Sequence, residues 1–246
     1  MKRFLLLAVC LGLAGCATIP QSLTVSINSI NNNESLSKKT CVVVSGLKEV
    51  PTADLQFQEY ATYVKRALAI KGYVLSDDME TADIVVFLGY GISDPTEHHY
   101  SYAVPIFGQT GVSSANTIGN TYSFGSSATM TSTTTYNPTY GVTGAVPQTG
   151  SYVTYTRQVS LIAYDMKSYR ETKKEKQLWK TEIVSTGNSG DLRRVFPVLI
   201  GGASQYVGEN TGKQVNVELQ ENSKKVLEIK GINIVEDVSK ATKDKK

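Results

Sequence analysis

Residues 41–90 read CVVVSGLKEVPTADLQFQEYATYVKRALAIKGYVLSDDMETADIVVFLGY, and this stretch decides the fold. Both of its ends are apolar and rich in β-branched residues. Residues 41–47 and residues 83–90 therefore predict two strands that are buried on both faces. The polar and turn-forming residues between them separate the strands and leave room for a helix.

That helix is predicted over residues 54–71. Its apolar side chains recur at helical spacing and share one face, and they are Phe57, Tyr60, Ala61, Val64, Ala67 and Leu68. Asp54 is suited to cap the N-terminus, and Gly72 is suited to end the helix. The pattern indicates an amphipathic helix that packs on a sheet through Val64 and Leu68.

The second half of the chain repeats this mixture of strands and helix. Alternation over residues 157–165 and the apolar segment 178–184 predict the two strands of a hairpin. A turn at 187–191 leads into a second helix, which Pro197 interrupts. Residues 215–219 predict a last strand. The expected fold class is α+β, with a mostly antiparallel sheet and two main helices packed on one face.

A long uncharged insertion divides the two halves. The 57 residues from Tyr100 to Thr156 contain no Asp, Glu, Lys or Arg, and are β-prone where Thr and Tyr gather. Three interpretations stay open. The segment is a solvated low-complexity loop or a long, poorly paired hairpin, a binding surface that combines Tyr with small polar residues, or a hairpin that inserts into a membrane. The last is favoured locally by the alternation of Tyr100, Tyr102, Val104 and Ile106.

The N-terminus carries a targeting signal. Two cations precede the apolar run Phe4–Ala14, which is too short for a membrane-spanning helix. The following Leu13-Ala14-Gly15-Cys16 resembles the lipobox of bacterial lipoproteins, in which the leader is cleaved before an acylated cysteine. We therefore expect residues 1–15 to be a signal peptide and Cys16 to carry the lipid, palmitate included. Ala17, which is not Asp, favours the outer membrane.

These features divide the chain into segments. Residues 16–39 are expected to be the lipidated cysteine and a flexible tether, and residues 40–235 a single periplasmic domain that contains the insertion 100–156. Residues 236–246 are expected to be a disordered lysine-rich tail. The protein is then anchored to the outer membrane by lipid and faces the periplasm, with exposure at the cell surface left open.

Charge and cysteine usage exclude several classes of function. The net charge of +3 comes from the two ends of the chain, and residues 4–239 alone carry −2. This balance excludes a nucleic-acid partner. Once Cys10 leaves with the leader and Cys16 is acylated, Cys41 is left without a disulfide partner. Its apolar neighbours predict a buried side chain rather than a nucleophile.

Two clusters of titratable residues resemble chemical sites, but the sequence favours a structural interpretation of both. Residues 94–99 contain both histidines, but His98 and His99 are adjacent on a predicted strand and point to opposite faces. Asp77, Asp78 and Glu80 form an acidic turn that is solvated rather than buried in a cleft. The sequence therefore predicts no catalytic, cofactor-binding or metal-binding residue and no enzyme activity, and Cys16 is its single predicted site.

The chain also resembles a family of bacterial envelope lipoproteins that carry a domain of unknown function. The shared features are the lipobox, the stretch Tyr60–Tyr90, and a strand ending in Asp that is followed by Leu178-Trp179-Lys180. The resemblance covers roughly residues 40–220 and brings no site residues with it. We expect a non-enzymatic envelope binding or assembly module, possessing a lipid anchor and an envelope protein partner. The alternative is a subunit of an oligomeric secretion or pore complex that inserts the uncharged hairpin, and an enzyme is a remote third.

Overall fold

The computed structural model describes residues 22–32 and 39–232. Of these residues, 55% lie in strands and 20% in helices. The strands are β1 (Ser22–Asn31), β2 (Thr40–Ser45), β3 (Val74–Leu75), β4 (Ile84–Ile92), β5 (Thr96–Phe124), β6 (Ser127–Asp165), β7 (Gln177–Gly187) and β8 (Val215–Gln220). The helices are α1 (Leu55–Ile70), α2 (Met166–Thr172), α3 (Leu192–Ala203) and α4 (Lys224–Lys230).

The eight strands form one mixed sheet of order β3-β2-β4-β6-β7-β1-β8, with β5 paired to β6. β2 runs parallel to β3 and to β4, whereas the β4–β6, β6–β7, β7–β1 and β1–β8 pairs are antiparallel. The predicted fold class is therefore wrong. The described residues are mostly strand, and they form one large mixed sheet with four helices instead of a mostly antiparallel sheet with two main helices. The reason for the parallel pairs is that α1 carries the chain back across the sheet, so that β4 starts at the same end as β2.

The chain divides into two compact units, which are residues 1–96 with 154–246 and residues 97–153. We call the former the first unit. Its main core lies where α1, α3 and α4 pack on one face of the sheet, and the rings of Tyr60 and Phe196 stack there with centroids 3.9 Å apart. On the other face, a smaller cluster is formed by Val42, Ala82 and Val85.

The N-terminal strand was not expected to belong to the sheet. β1 lies between β7 and β8 and buries Val25 and Ile27 completely. The sequence predicts a tether over residues 16–39 because Ser, Asn and Gln dominate it, and only the alternation of Leu23, Val25 and Ile27 indicates a short strand there. Those polar side chains alternate with the apolar ones along the strand, so that one face of β1 is buried. The tether predicted for residues 16–39 therefore does not include this strand.

The predicted first helix is confirmed as α1. The side chain of Asp54 accepts a hydrogen bond from the backbone N–H of Phe57 at 2.8 Å, which satisfies one of the free donors at the helix start. All six predicted core residues of this helix are buried, Val64 and Leu68 completely. Gly72 follows the helix with φ of 87°, a left-handed conformation that suits glycine.

The C-terminal elements also follow the predicted order. The hairpin of residues 157–165 and 178–184 is confirmed by the antiparallel β6–β7 pair, and Asp191 caps α3 through the N–H of Arg194. Pro197 lies inside α3 without ending it. Between β6 and β7 the structure contains α2, and neither α2 nor α4 was predicted from the sequence.

Candidate interaction surface: the long hairpin

The uncharged insertion is a two-stranded hairpin. We define the long hairpin as residues 97–153, the second compact unit, in which β5 pairs with β6 across a turn at Gly125 and Ser126. Gly125 has φ of 63°, which tight turns require. Its 28-residue first strand extends for roughly 90 Å at about 3.3 Å per residue. The expectation of a flexible loop is thus replaced by a regular β structure.

None of residues 97–153 is buried. Sixteen of them are large apolar or aromatic side chains that lie exposed to solvent, with exposed fractions from 37% at Val153 to 94% at Phe124. They are Tyr100, Tyr102, Val104, Ile106, Phe107, Val112, Ile118, Tyr122, Phe124, Met130, Tyr136, Tyr140, Val142, Val146, Tyr152 and Val153. An exposed apolar surface of this extent indicates an interaction site.

These side chains follow a period of two. From Tyr100 to Phe124 the large apolar residues of β5 stand at even-numbered positions, with Phe107 as the exception. From Met130 to Val146 the large apolar residues of β6 also stand at even-numbered positions. Of the eight odd-numbered positions between them in β6, five carry threonine and the other three carry Asn, Gly and Ala. Each strand therefore has an apolar face and a polar face.

In the outer part of the long hairpin, residues 108–143, the two apolar faces do not coincide. Four contacting pairs each join an even-numbered residue to an odd-numbered one. They are Thr117–Thr134, Ser114–Asn137, Thr110–Gly141 and Gly108–Thr143. The hydroxyl oxygens of Thr117 and Thr134 lie 2.8 Å apart. The apolar residues of β5 and those of β6 therefore lie on opposite faces of the outer part.

In the inner part, residues 97–107 and 144–153, the register between β5 and β6 differs by one residue from the register of the outer part. The ring of His98 stacks on that of Tyr152 with centroids 4.9 Å apart, so that even-numbered residues share a face. The ring of Tyr100 covers Gly150, where a Cβ atom would lie only 2.7 Å from the ring. A side chain at position 150 would require the exposed ring of Tyr100 to move. The change of register lies between the contact of Ile106 with Gly144 and the contact of Gly108 with Thr143. It places one extra residue, Phe107, in β5, as in a β-bulge.

The sequence contains the signal for this surface. The alternation of apolar residues predicted from the sequence covers only Tyr100–Ile106, because the glycines and Asn137-Pro138 interrupt the other stretches. A count of even and odd positions along both strands would have found the pattern, since glycine does not break the period of two. The change of register could not be read in this way, because it depends on contacts between the strands.

The histidine segment contributes to the hairpin rather than to a metal site. His98 stacks on Tyr152, and Nε2 of His99 lies 4.0 Å from Oε1 of Glu97. The described part of the chain contains no group of three or more His, Cys, Asp or Glu residues placed to bind a metal ion.

The acidic turn has structural contacts. Asp77 pairs with Lys65 at 2.6 Å, and the pKa of its carboxyl is lowered by that hydrogen bond and charge. Asp78 accepts a hydrogen bond from the backbone N–H of Glu80, which lowers the pKa of Asp78. Cys41 is fully buried, and burial raises the pKa of its thiol to about 11. A thiol in this state is neutral and inert, as its neighbours predicted.

An open apolar groove of about 570 Å³ lies in the first unit. Its apolar wall includes Val85, Phe87, Ile162 and Tyr164. The carboxylate of Asp165 is engaged in capping α2 through the N–H of Ser168. The groove therefore offers mainly apolar contact area.

The predicted lipidation site, Cys16, and the signal peptide lie outside the described residues. Among the helices of residues 22–32 and 39–232, none combines the length and the apolar character needed to cross a bilayer.

Comparisons with known proteins give no family. No family model matches the chain, and no curated protein matches it. Among solved structures, a PDZ domain protein from Parabacteroides distasonis aligns with 87% of this chain and 42% of its own at 12% identity and a TM-score of 0.36. The lysenin pore aligns with 82% of this chain and 50% of its own at 9% identity and a TM-score of 0.11. The chain thus spans half or less of either structure, and both TM-scores are too low to indicate a common fold.

Proposed function

We propose that this protein is a non-enzymatic lipoprotein of the bacterial outer membrane, anchored through Cys16, that associates with further copies of itself through the long hairpin. The observation that carries this proposal is a hairpin of residues 97–153 that contains no buried residue and whose paired strands are uncharged from Tyr100 to Thr156.

The first support is the state of the strand edges. Within the described residues, β5 pairs with β6 alone, and the part of β6 from Ser127 to Val153 pairs with β5 alone. Each strand therefore has one edge whose backbone N–H and C=O groups can pair with another strand. Soluble proteins commonly protect such edges with lysine and other charged residues. The long hairpin has three prolines as interruptions but no charge in its outer part, which favours pairing with a strand of the same kind.

The second support is energetic. A two-stranded hairpin is marginally stable in water by itself, and this one exposes sixteen large apolar or aromatic side chains. Burial of apolar surface contributes about 25 cal/mol per Å², so contact between neighbouring hairpins stabilises both. A lipid anchor at Cys16 adds to this effect, because confinement to one membrane raises the effective concentration of the copies.

The test measures self-association of the full acylated chain in detergent by light scattering. The double variant Thr117→Lys with Thr121→Lys places two positive charges on β5. In an assembly, the β5 strands of adjacent copies are two strand spacings apart, about 10 Å, so these charges repel each other. We expect the wild type to be oligomeric, the double variant to be at least tenfold weaker in association at low salt, and high salt to restore part of this loss. Leu55→Lys with Ala69→Lys is the matched control, because it adds the same charge to exposed positions of α1.

A wild-type chain that stays monomeric at every concentration contradicts the proposal and leaves a different envelope protein as the partner. Equal association of the hairpin variant and the wild type would show that the interface lies elsewhere. The anchor is tested separately, because Cys16→Ser should abolish labelling by radioactive palmitate and leave an uncleaved precursor. Equal labelling of this variant would refute the lipoprotein assignment.

A further inference from the structure

We propose that the outer part of the long hairpin shifts by one residue, to the register of its inner part, when the assembled protein meets a lipid bilayer, and that the resulting apolar face enters the bilayer. This inference rests on the proposed self-association, because one hairpin by itself would leave its strand edges unpaired in lipid.

The starting point is the disagreement between the two parts of the hairpin. In the inner part, His98 and Tyr152 share a face, so even-numbered positions lie opposite even-numbered positions. In the outer part, Thr117 faces Thr134, so even lies opposite odd. A one-residue change of register moves the side chains of one strand to the other face relative to its partner. The hairpin therefore contains both arrangements.

Extending the inner register outward would collect the large apolar side chains on one face. Val142 would lie opposite Gly108, and Tyr140 opposite Thr110, so large residues would lie beside small ones. The opposite face of the outer part would contain only Thr, Ser, Gly, Ala, Asn and Gln, since the odd-numbered positions of 109–123 and 127–143 carry no other residue. Phe107, next to the boundary, is the single large apolar side chain that would stay on the polar face.

The shift is structurally simple. It moves the irregularity from Phe107 to the tip, where the two-residue turn becomes a three-residue loop over residues 124–126. Gly125 already has positive φ, which such loops use at one position. The backbone hydrogen bonds of the ladder are exchanged for equivalent ones. The many threonines and glycines specify the register weakly, so few side-chain contacts oppose the change.

The shifted hairpin matches the dimensions and the composition of membrane-crossing strands. About 9–11 residues of a tilted strand cross the hydrocarbon core, and Tyr102–Val112 supplies such a length without a charge. Tyr100, Tyr102 and Tyr152 lie at one end of this segment, and Tyr136 and Tyr140 lie at the other. Transmembrane strands carry aromatic residues at both membrane interfaces in this way, and alternate apolar with polar residues between them.

Two cysteine pairs that share one position distinguish the registers. Thr117→Cys with Thr134→Cys traps the outer register of the structure, and Thr117→Cys with Thr133→Cys traps the shifted one. Both are made in the full acylated chain, where the native Cys41 is fully buried. Disulfide formation under a mild oxidant is followed by intact mass after maleimide labelling, in detergent and on phosphatidylethanolamine–phosphatidylglycerol vesicles. We expect the 117–134 pair to close at least tenfold faster in detergent, and the 117–133 pair to close at least tenfold faster on vesicles.

Release of a trapped dye from the same vesicles reports insertion. We expect the wild type to release dye, and the oxidised 117–134 protein to release it at least tenfold more slowly until dithiothreitol restores the rate. The inference is overturned if the 117–134 pair stays the faster one on vesicles, if the wild type releases no dye, or if the oxidised protein releases it at the full rate.

Chemical cross-linking on the vesicles separates the two proposals. Oligomers with an unchanged order of disulfide rates refute the register shift alone, whereas a lack of oligomers refutes self-association and the shift with it.

Discussion

Nη1 of Arg157 donates a 2.9 Å hydrogen bond to the carbonyl oxygen of Ser189, although Arg157 is only 1% exposed. Its guanidinium also donates to the carbonyl and the hydroxyl oxygen of Ser185, and burial lowers its pKa from the ordinary value. No carboxylate pairs with it in the part of the chain that the structure describes. Arg157 therefore links β6 to β7 and to the turn that precedes α3 through polar atoms alone.

Replacing this arginine is expected to destabilise the first unit. Arg157→Met keeps much of the volume but leaves the oxygen atoms of Ser185 and Ser189 without this donor, and the loss of buried hydrogen bonds to a charged group costs about 2–4 kcal/mol. Urea unfolding measures the change. Arg193→Met is the matched control, because Arg193 is exposed and pairs at the surface with Glu59, so that its loss costs less than about 1 kcal/mol. If the two variants lose the same free energy of unfolding, the buried hydrogen bonds of Arg157 stabilise the protein no more than the surface ion pair of Arg193.

The contact of α1 with the core gives a second prediction. Leu68 is fully buried, whereas Leu55 on the same helix is 82% exposed. Leu68→Ala should lower the free energy of unfolding by about 2–5 kcal/mol, since it removes buried methyl groups and leaves a cavity. Leu55→Ala should change it by less than about 0.5 kcal/mol. Urea unfolding of both variants decides the matter, and a small effect at Leu68 would refute its assignment to the core.

Local patterns were enough to predict α1, α3 and most strands of the first unit, but not α2 and α4, nor the way in which the strands pair. The helical spacing of Val64 and Leu68 and the cap at Asp54 are encoded in nearby residues, and α1 follows from them. The parallel pairing of β2 with β4 depends on where α1 returns the chain. The place of β1 depends on β7 and β8, which are distant in sequence. Val25 and Ile27 alternate in a short polar segment, and only those partners make them core residues.

The long hairpin, too, could be predicted from the sequence only in its local properties and not in its strand register. Its lack of charge and its β propensity are local properties, and they separated the segment from the rest of the chain. The packing of Tyr100 over Gly150 and the contact of Thr117 with Thr134 join residues 17–50 positions apart. The register is a property of such pairs, so one strand by itself does not predict which apolar residues share a face.

The buried thiol predicts a pH dependence of stability. The pKa of Cys41 is about 11 in the folded protein, above its ordinary value of 9.0, because burial disfavours the thiolate. The folded state thus binds this proton more tightly, and the resulting stability is complete below pH 9 and is lost as the pH rises through 11. The free-energy difference between the wild type and Cys41→Ala, measured by urea unfolding, should therefore be smaller at pH 10.5 than at pH 8. Tyr73 titrates mainly above this pH range, because burial raises its pKa to about 12. A difference that does not change with pH would show that the thiol does not titrate in this way.

The last prediction separates the role of the long hairpin from the stability of the first unit. Deleting Phe107–Gln148 and joining the ends with a short Gly-Ser turn removes forty-two residues, none of which is buried. Loop closure depends only weakly on length, so the free energy of unfolding of the first unit should change by less than about 1 kcal/mol. Self-association in detergent should disappear, because the deleted residues carry most of the exposed apolar surface of the hairpin.

Leu161→Ala in the full chain is the control for the opposite case. This fully buried residue lies in the part of β6 that pairs with β4 and β7, and its truncation should cost about 2–5 kcal/mol while self-association persists under native conditions. A deletion protein that fails to fold would show that the hairpin stabilises the first unit, and one that still forms oligomers would place the interface outside residues 107–148.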